Sequence, residues 1–202
     1  MKKIVFRLLT VIQFSEMSLS KPVEILYDFL GMYLNNLYTS PIKTKAITSC
    51  VTATLGNYLA QRLTGVKNIN QDSLVAFGLF GLFFGGTMPH YFYRYVPLIT
   101  KNPLGVLFIE RMFYTPCFQA LALYMLARFE GKSHSNSMKN LNALYWPILE
   151  ANLKYLTLLQ FINIKYVPPM LRVLVMNIVG LLWCIFLAKK REKLEASKRM
   201  KP

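Results

Sequence analysis

The chain has 202 residues, of which 54% are hydrophobic and 16% charged, with a formal net charge of +15 and a mean hydropathy of +0.33. Soluble domains carry a less apolar balance. The 24 Lys and Arg gather at the two ends and between apolar runs instead of alternating with aromatics, which argues against nucleic-acid binding and for membrane flanking.

Residues 1–21 form a basic tail whose apolar run is broken by Arg7. A secretory signal peptide needs a longer uninterrupted apolar stretch and a small-residue cleavage site. A mitochondrial presequence is the rival reading, since no acid precedes Glu16, although Arg is sparse; a plain amphipathic or disordered tail is the third. Pro22 then opens a helix with Glu24 and Asp28 in its first turns, where the helix dipole favours acids. Ser40-Pro41 restarts the chain as an N-cap followed by proline at the first helical position. Segment 42–63 repeats Thr44, Thr48, Thr52 and Gly56 every fourth residue, with Ser49, Ala53, Asn57, Ala60 and Gln61 alongside. In a membrane such a face packs against other helices or lines a wet path.

A polar loop is expected over 64–72, followed by segment 73–93, which is 21 residues without an Asp, Glu, Lys or Arg. Gly81 and Gly85 match the small-xxx-small pattern of close helix approach, and the HYFYRY end reads as an interfacial aromatic girdle. After Pro97 and Pro103 comes segment 104–128, in which Glu110-Arg111 precede 16 uncharged residues. Neighbours on a helix point about 100° apart, so each of this pair needs a partner on another helix or in a hydrated cavity. Arg111, Thr115 and Gln119 form a polar i, i+4, i+8 row, and Pro116 should kink the helix.

Residues 128–140 read as a loop. Segment 141–164 carries Glu150 and Lys154 as an i, i+4 pair and is read as interfacial or partly inserted, with a full span as the alternative. A double proline at 168–169 leads into segment 168–188, which at 1.5 Å rise per residue covers roughly 31 Å, the thickness of a bilayer core. Arg172 lies one turn in, where it can snorkel, and Asn177 is the strongly polar side chain of the 173–188 run. The fold class is therefore all-α: an integral membrane helical bundle of about four transmembrane helices with N-terminal and interfacial amphipathic helices. Domain 22–188 is flanked by basic tails at 1–21 and 189–202.

Cys50, Cys117 and Cys184 are scattered through separate apolar segments, and His90 and His134 lack ligand spacing, so neither a disulfide framework nor a metal site is expected. No cofactor-binding glycine loop, nucleophile–base pair or paired catalytic carboxylates are visible, which argues against an enzyme.

Several ordered stretches then carry a resemblance: SPIKTKAITSCVTATLGNYLAQ at 40–61, GTMPHYFY at 86–93, ERMFYTPCFQ at 110–119, YWP at 145–147 and QFINIKYVPPMLRVLVMN at 160–177. Together they resemble the Mpv17/PMP22 family of small organellar membrane proteins, over roughly residues 34–188. Gly56-Asn57, where many members have Gly-Asp, and the run QFINIKYVP are similar to the peroxisomal branch. Two positions depart from that branch: Glu150 replaces a basic residue and Leu158 a proline. The resemblance implies a peroxisomal membrane protein, delivered by the peroxisomal membrane-protein import machinery and acting as a non-selective channel for small solutes, assembled from several copies. A mitochondrial inner-membrane location is the alternative.

The residues assigned to a pore lining or a buried polar network are Asn57, Gln61, Glu110, Arg111, Thr115, Gln119, Arg172 and Asn177, with Gly81 and Gly85 assigned to helix packing. A structural lock for Glu110 and Arg111 competes with a pore role. A non-channel scaffold working through the basic tails is the second class of function. Four spans would put the N-terminus, 94–101 and the C-terminal tail on one side, collecting fifteen of the 24 basic residues and marking it as cytosolic. The C-terminal Met-Lys-Pro is unlike a peroxisomal matrix signal, so any address is expected to be internal.

Overall fold

A computed structural model describes residues 21–65 and 68–182. All of its regular elements are helical. The chain divides between Thr44 and Lys45 into two compact units. Helix α1 (Lys21–Thr39) belongs to the first, and α2 (Pro41–Leu63) begins in it and continues into the second. At the restart Thr44 Oγ1 donates to the carbonyls of Ser40 and Asn36, both at 2.9 Å, adding a second donor to carbonyls that already accept the N–H groups of Thr44 and Ser40.

In the second unit, α3 (Gln71–Phe80) starts where Asn70 caps it, its side chain accepting from the Ser73 N–H. It runs through a wide turn at Gly81–Gly85 into α4 (Thr87–Tyr95) and a tight turn at Val96–Leu98. Helix α5 (Pro103–Ile109) is capped by Asn102 and passes through a second wide turn, Glu110–Tyr114, into α6 (Thr115–Phe129). Both wide turns have one cause. Pro89 and Pro116 each lack an N–H and crowd the carbonyl four residues back, which lies within Gly81–Gly85 in one case and within Glu110–Tyr114 in the other. The turn widens to i→i+5 bonding, from Gly86 N to Gly81 O at 3.2 Å, and the helix continues. The kink expected at Pro116 takes this form.

Helix α7 (His134–Tyr166) is 33 residues long. It starts at His134 because the Ser133 side chain accepts from the Asn136 N–H, so the loop expected to reach residue 140 ends about two helical turns earlier than composition suggested. It also packs along α5 and α6 and buries Leu149, Leu156, Gln160, Asn163 and Ile164. It packs as a bundle helix against both of those segments. Glu150 and Lys154 make no ion pair with each other; among the described residues the ion pair is Lys132–Glu130, at 2.8 Å. Helix α8 (Arg172–Leu182) follows.

Two contacts set how closely the helices approach. A Cβ on Gly81 would lie 2.7 Å from the Ser49 carbonyl carbon, and one on Gly86 would lie 2.5 Å from the Ala46 nitrogen, so α2 meets the 81–86 backbone directly. Gly85 is looser, at 3.5 Å from the Ser49 Cβ. On the other side an aromatic ladder joins α3–α4 to α5–α6: Phe92 on Tyr114 at 4.4 Å, Tyr114 on Phe118 at 5.4 Å and Phe80 on Phe118 at 5.6 Å. Among the described residues one continuous helical stretch, Gln71–Leu98, is long and apolar enough to cross a membrane by itself, whereas about four were expected. Segments 42–63 and 104–128 are less apolar on average, and 168–188 runs beyond the described residues, as do both basic tails.

Candidate functional site

A cavity of about 380 Å³ lies among α2, α3–α4, α5–α6, α7 and α8. Seven of the eight polar residues singled out in the sequence line it: Asn57, Glu110, Arg111, Thr115, Gln119, Arg172 and Asn177. Gly81 and Gly85 lie on the same wall.

Glu110 and Arg111 are 6% and 8% exposed, yet they do not pair with each other. The turn of the helix aims them apart, and α7 holds both. Gln160 donates to the Glu110 carboxylate at 2.7 Å and also to the Tyr93 hydroxyl, and Tyr93 donates to the same carboxylate oxygen at 3.2 Å. Arg111 donates to Asn152 Oδ1 at 2.7 Å and to the Leu156 carbonyl at 3.2 Å. Burying one charge without such donors or acceptors is expensive, so the partners are a condition of Glu110 and Arg111 standing here at all.

Arg172 opens α8 and closes the end of α7. Its guanidinium donates to the carbonyls of Ile164 at 2.7 Å and Val167 at 3.0 Å, and it lies over the Tyr93 ring at 5.3 Å. Those carbonyls are ones the helix end leaves unpaired. Asn177 donates to Ser49 Oγ at 2.8 Å, tying α8 to α2. Asn57 donates to Ser73 Oγ at 3.3 Å. Gln61 stands apart from the cavity. It donates to Asn57 Oδ1 at 2.7 Å and to the Asn70 carbonyl at 3.2 Å, and accepts from the Asn70 N–H at 2.6 Å, which clamps the start of α3 to the end of α2.

Three cavity-lining residues keep a buried polar atom without a protein partner: Arg111 Nε, the Tyr114 hydroxyl and Gln160 Oε1. Buried polar groups are nearly always satisfied, and a space of about 380 Å³ exceeds the roughly 30 Å³ a water molecule occupies in the liquid many times over. The arrangement suits water or a small polar solute. Among the described residues no three His, Cys, Asp or Glu side chains converge as metal ligands.

Tyr93, Asn152, Gln160 and the buried Ser49 are the contributors that sequence reasoning left out of the site. A signal existed for α7: Asn152, Gln160 and Asn163 interrupt its apolar run at spacings that return to one face. Lys45 was also unexpected. It is buried, with Nζ 3.3 Å from His90 Nδ1, away from the cavity.

The sequence pattern described as the Mpv17 / PMP22 family matches residues 127–188. Peroxisomal membrane protein 2 of Bos taurus is 34% identical over 173 residues, covering 79% of this chain and 87% of its own length. PXMP2/4 family protein 3 of Dictyostelium discoideum is 32% identical, over 85% of this chain and 96% of the relative. Mitochondrial inner membrane protein Mpv17 of Caenorhabditis briggsae is 24% identical, over 82% of this chain and 94% of the relative. No solved structure matches.

Proposed function

The chain belongs to the Mpv17/PMP22 family, and from that premise we propose that it forms a hydrated path for small solutes through the peroxisomal membrane. The peroxisomal membrane is its location, the mitochondrial inner membrane being the alternative that the Mpv17 relative represents. The observation that carries the channel reading is the cavity of about 380 Å³, into which five helical segments bring polar side chains and unsatisfied polar atoms. In lipid such groups are retained where they line water or lock helices together. Glu110 and Arg111 do both, lining the space while locking onto α7, and Thr115 and Gln119 face it with uncharged side chains.

We count α7 among the membrane crossings, a reading its place alongside α5 and α6 supports. With that added crossing the basic tail at 189–202 no longer shares a side with 94–101, and the charge tally that assigned the cytosolic face loses its basis.

Planar-bilayer conductance of purified protein, against a heat-denatured control, tests the channel. Discrete steps whose selectivity changes in Arg111→Ala are the expected result. A silent bilayer from helical protein would leave the cavity as a packing device and favour a membrane scaffold.

A further inference from the structure

The outer face of α7 carries a charged pair where lipid would be the ordinary neighbour. Two contacts fix its depth. Arg111 reaches Asn152 and the Leu156 carbonyl, and the Tyr145 hydroxyl donates to the Pro116 carbonyl at 3.5 Å. Residues 145–156 therefore lie level with 111–116, and residue 116 is the midpoint of the continuous 103–129 helix. Glu150 and Lys154 fall inside that window and are exposed. They do not neutralise each other by an ion pair, and Lys154 Nζ lies 5.7 Å from the ring of its neighbour Tyr155. Trp146 and Leu158, 71% and 68% exposed, continue the same face above and below.

An ionised side chain facing hydrocarbon at mid-depth is among the costliest arrangements a membrane protein can adopt, and such residues pair with one another or with a polar partner. We propose that this face is the contact between two copies of this chain, with Glu150 of one set against Lys154 of the partner subunit. The inference rests on the membrane placement above and not on conductance. The charges are complementary as they stand. Copies related by an axis along the membrane normal keep every residue at its own depth, so Glu150 and Lys154 of the partner subunit differ in height by only four residues, about 6 Å, within the combined reach of the two side chains. The contact also covers Trp146 and Leu158, supplying apolar area around a desolvated charge pair.

Chemical cross-linking of the full chain in carbonate-washed peroxisomal membranes tests this. Wild-type protein should give multiples of the 23.3 kDa protomer. Glu150→Lys and Lys154→Glu should each lower the cross-linked fraction at least fivefold, and the double swap should return it to within twofold of wild type. Rescue by the swap separates a specific pair from a folding defect. A monomer in washed membranes would overturn the proposal, as would single variants that cross-link like wild type or a swap that stays monomeric while helical. Loss of the protein in the carbonate wash would instead remove the membrane placement, and the proposal with it.

Discussion

Gln160 on α7 donates a 2.7 Å hydrogen bond to the Glu110 carboxylate, across 50 positions of sequence, while the same amide nitrogen also reaches Tyr93 on α4. Three helical segments thus meet at one buried carboxylate. The carboxylate accepts from both Gln160 and Tyr93, which also bond to each other, so its removal is felt by all three segments.

Glu110→Ala should destabilise the fold by about 2–4 kcal/mol, because it leaves the Tyr93 hydroxyl without its acceptor in the interior and removes one of the two acceptors of the Gln160 amide. Glu110→Gln keeps an acceptor at the same place and should cost about half as much or less. Thermal or denaturant unfolding in detergent, followed by circular dichroism, compares them. Equal losses in the two variants would mean that the carboxylate's charge, not its acceptor role, holds the junction.

Arg111→Lys separates fork from charge. A lysine keeps the positive charge but not the two directed N–H bonds to Asn152 and the Leu156 carbonyl. Stability should fall by about 1–3 kcal/mol while ion selectivity stays near wild type. A selectivity change as large as that of Arg111→Ala would show that guanidinium geometry, and not charge, acts on the permeating ion.

Gly81→Ala should lose about 1–3 kcal/mol, since its Cβ would enter the Ser49 backbone, which cannot move as a side-chain tip can. Gly85→Ala meets the Ser49 side chain and the Phe80 carbonyl at ordinary contact distances of 3.5 to 3.9 Å and should stay within about 1 kcal/mol. The same unfolding assay decides; reversed ranking would contradict the observed approach of α2.

Gln119 lines the cavity with an uncharged, half-buried side chain. If solutes pass there, Gln119→Glu should shift the reversal potential in a salt gradient toward cation preference and Gln119→Lys toward anion preference. Opposite shifts place the residue on the conduction path. Two unchanged potentials from conducting protein would place the path elsewhere.

Much of the architecture was legible in the chain itself. Helix starts are local events, so Ser40-Pro41 marks one by its own chemistry, and Pro116 announces the distortion that became a wide turn. Ser133 is equally local, yet the polar run behind it hid the start of α7. The row Arg111, Thr115 and Gln119 was readable from the 3.6-residue period, because periodicity tells which residues share a face. What faces that row was not readable. The Asn177–Ser49 bond joins residues 128 apart, Gln61 serves the α2–α3 junction instead of the cavity, and Gly86 does the close packing that a spacing pattern assigned to Gly85. Those outcomes depend on which helices meet and at what rotation. Each helix offers several faces of similar polarity, and the choice among them is made by many long-range contacts at once, so tertiary packing alone brings Glu110, Arg111 and α7 to one cavity wall.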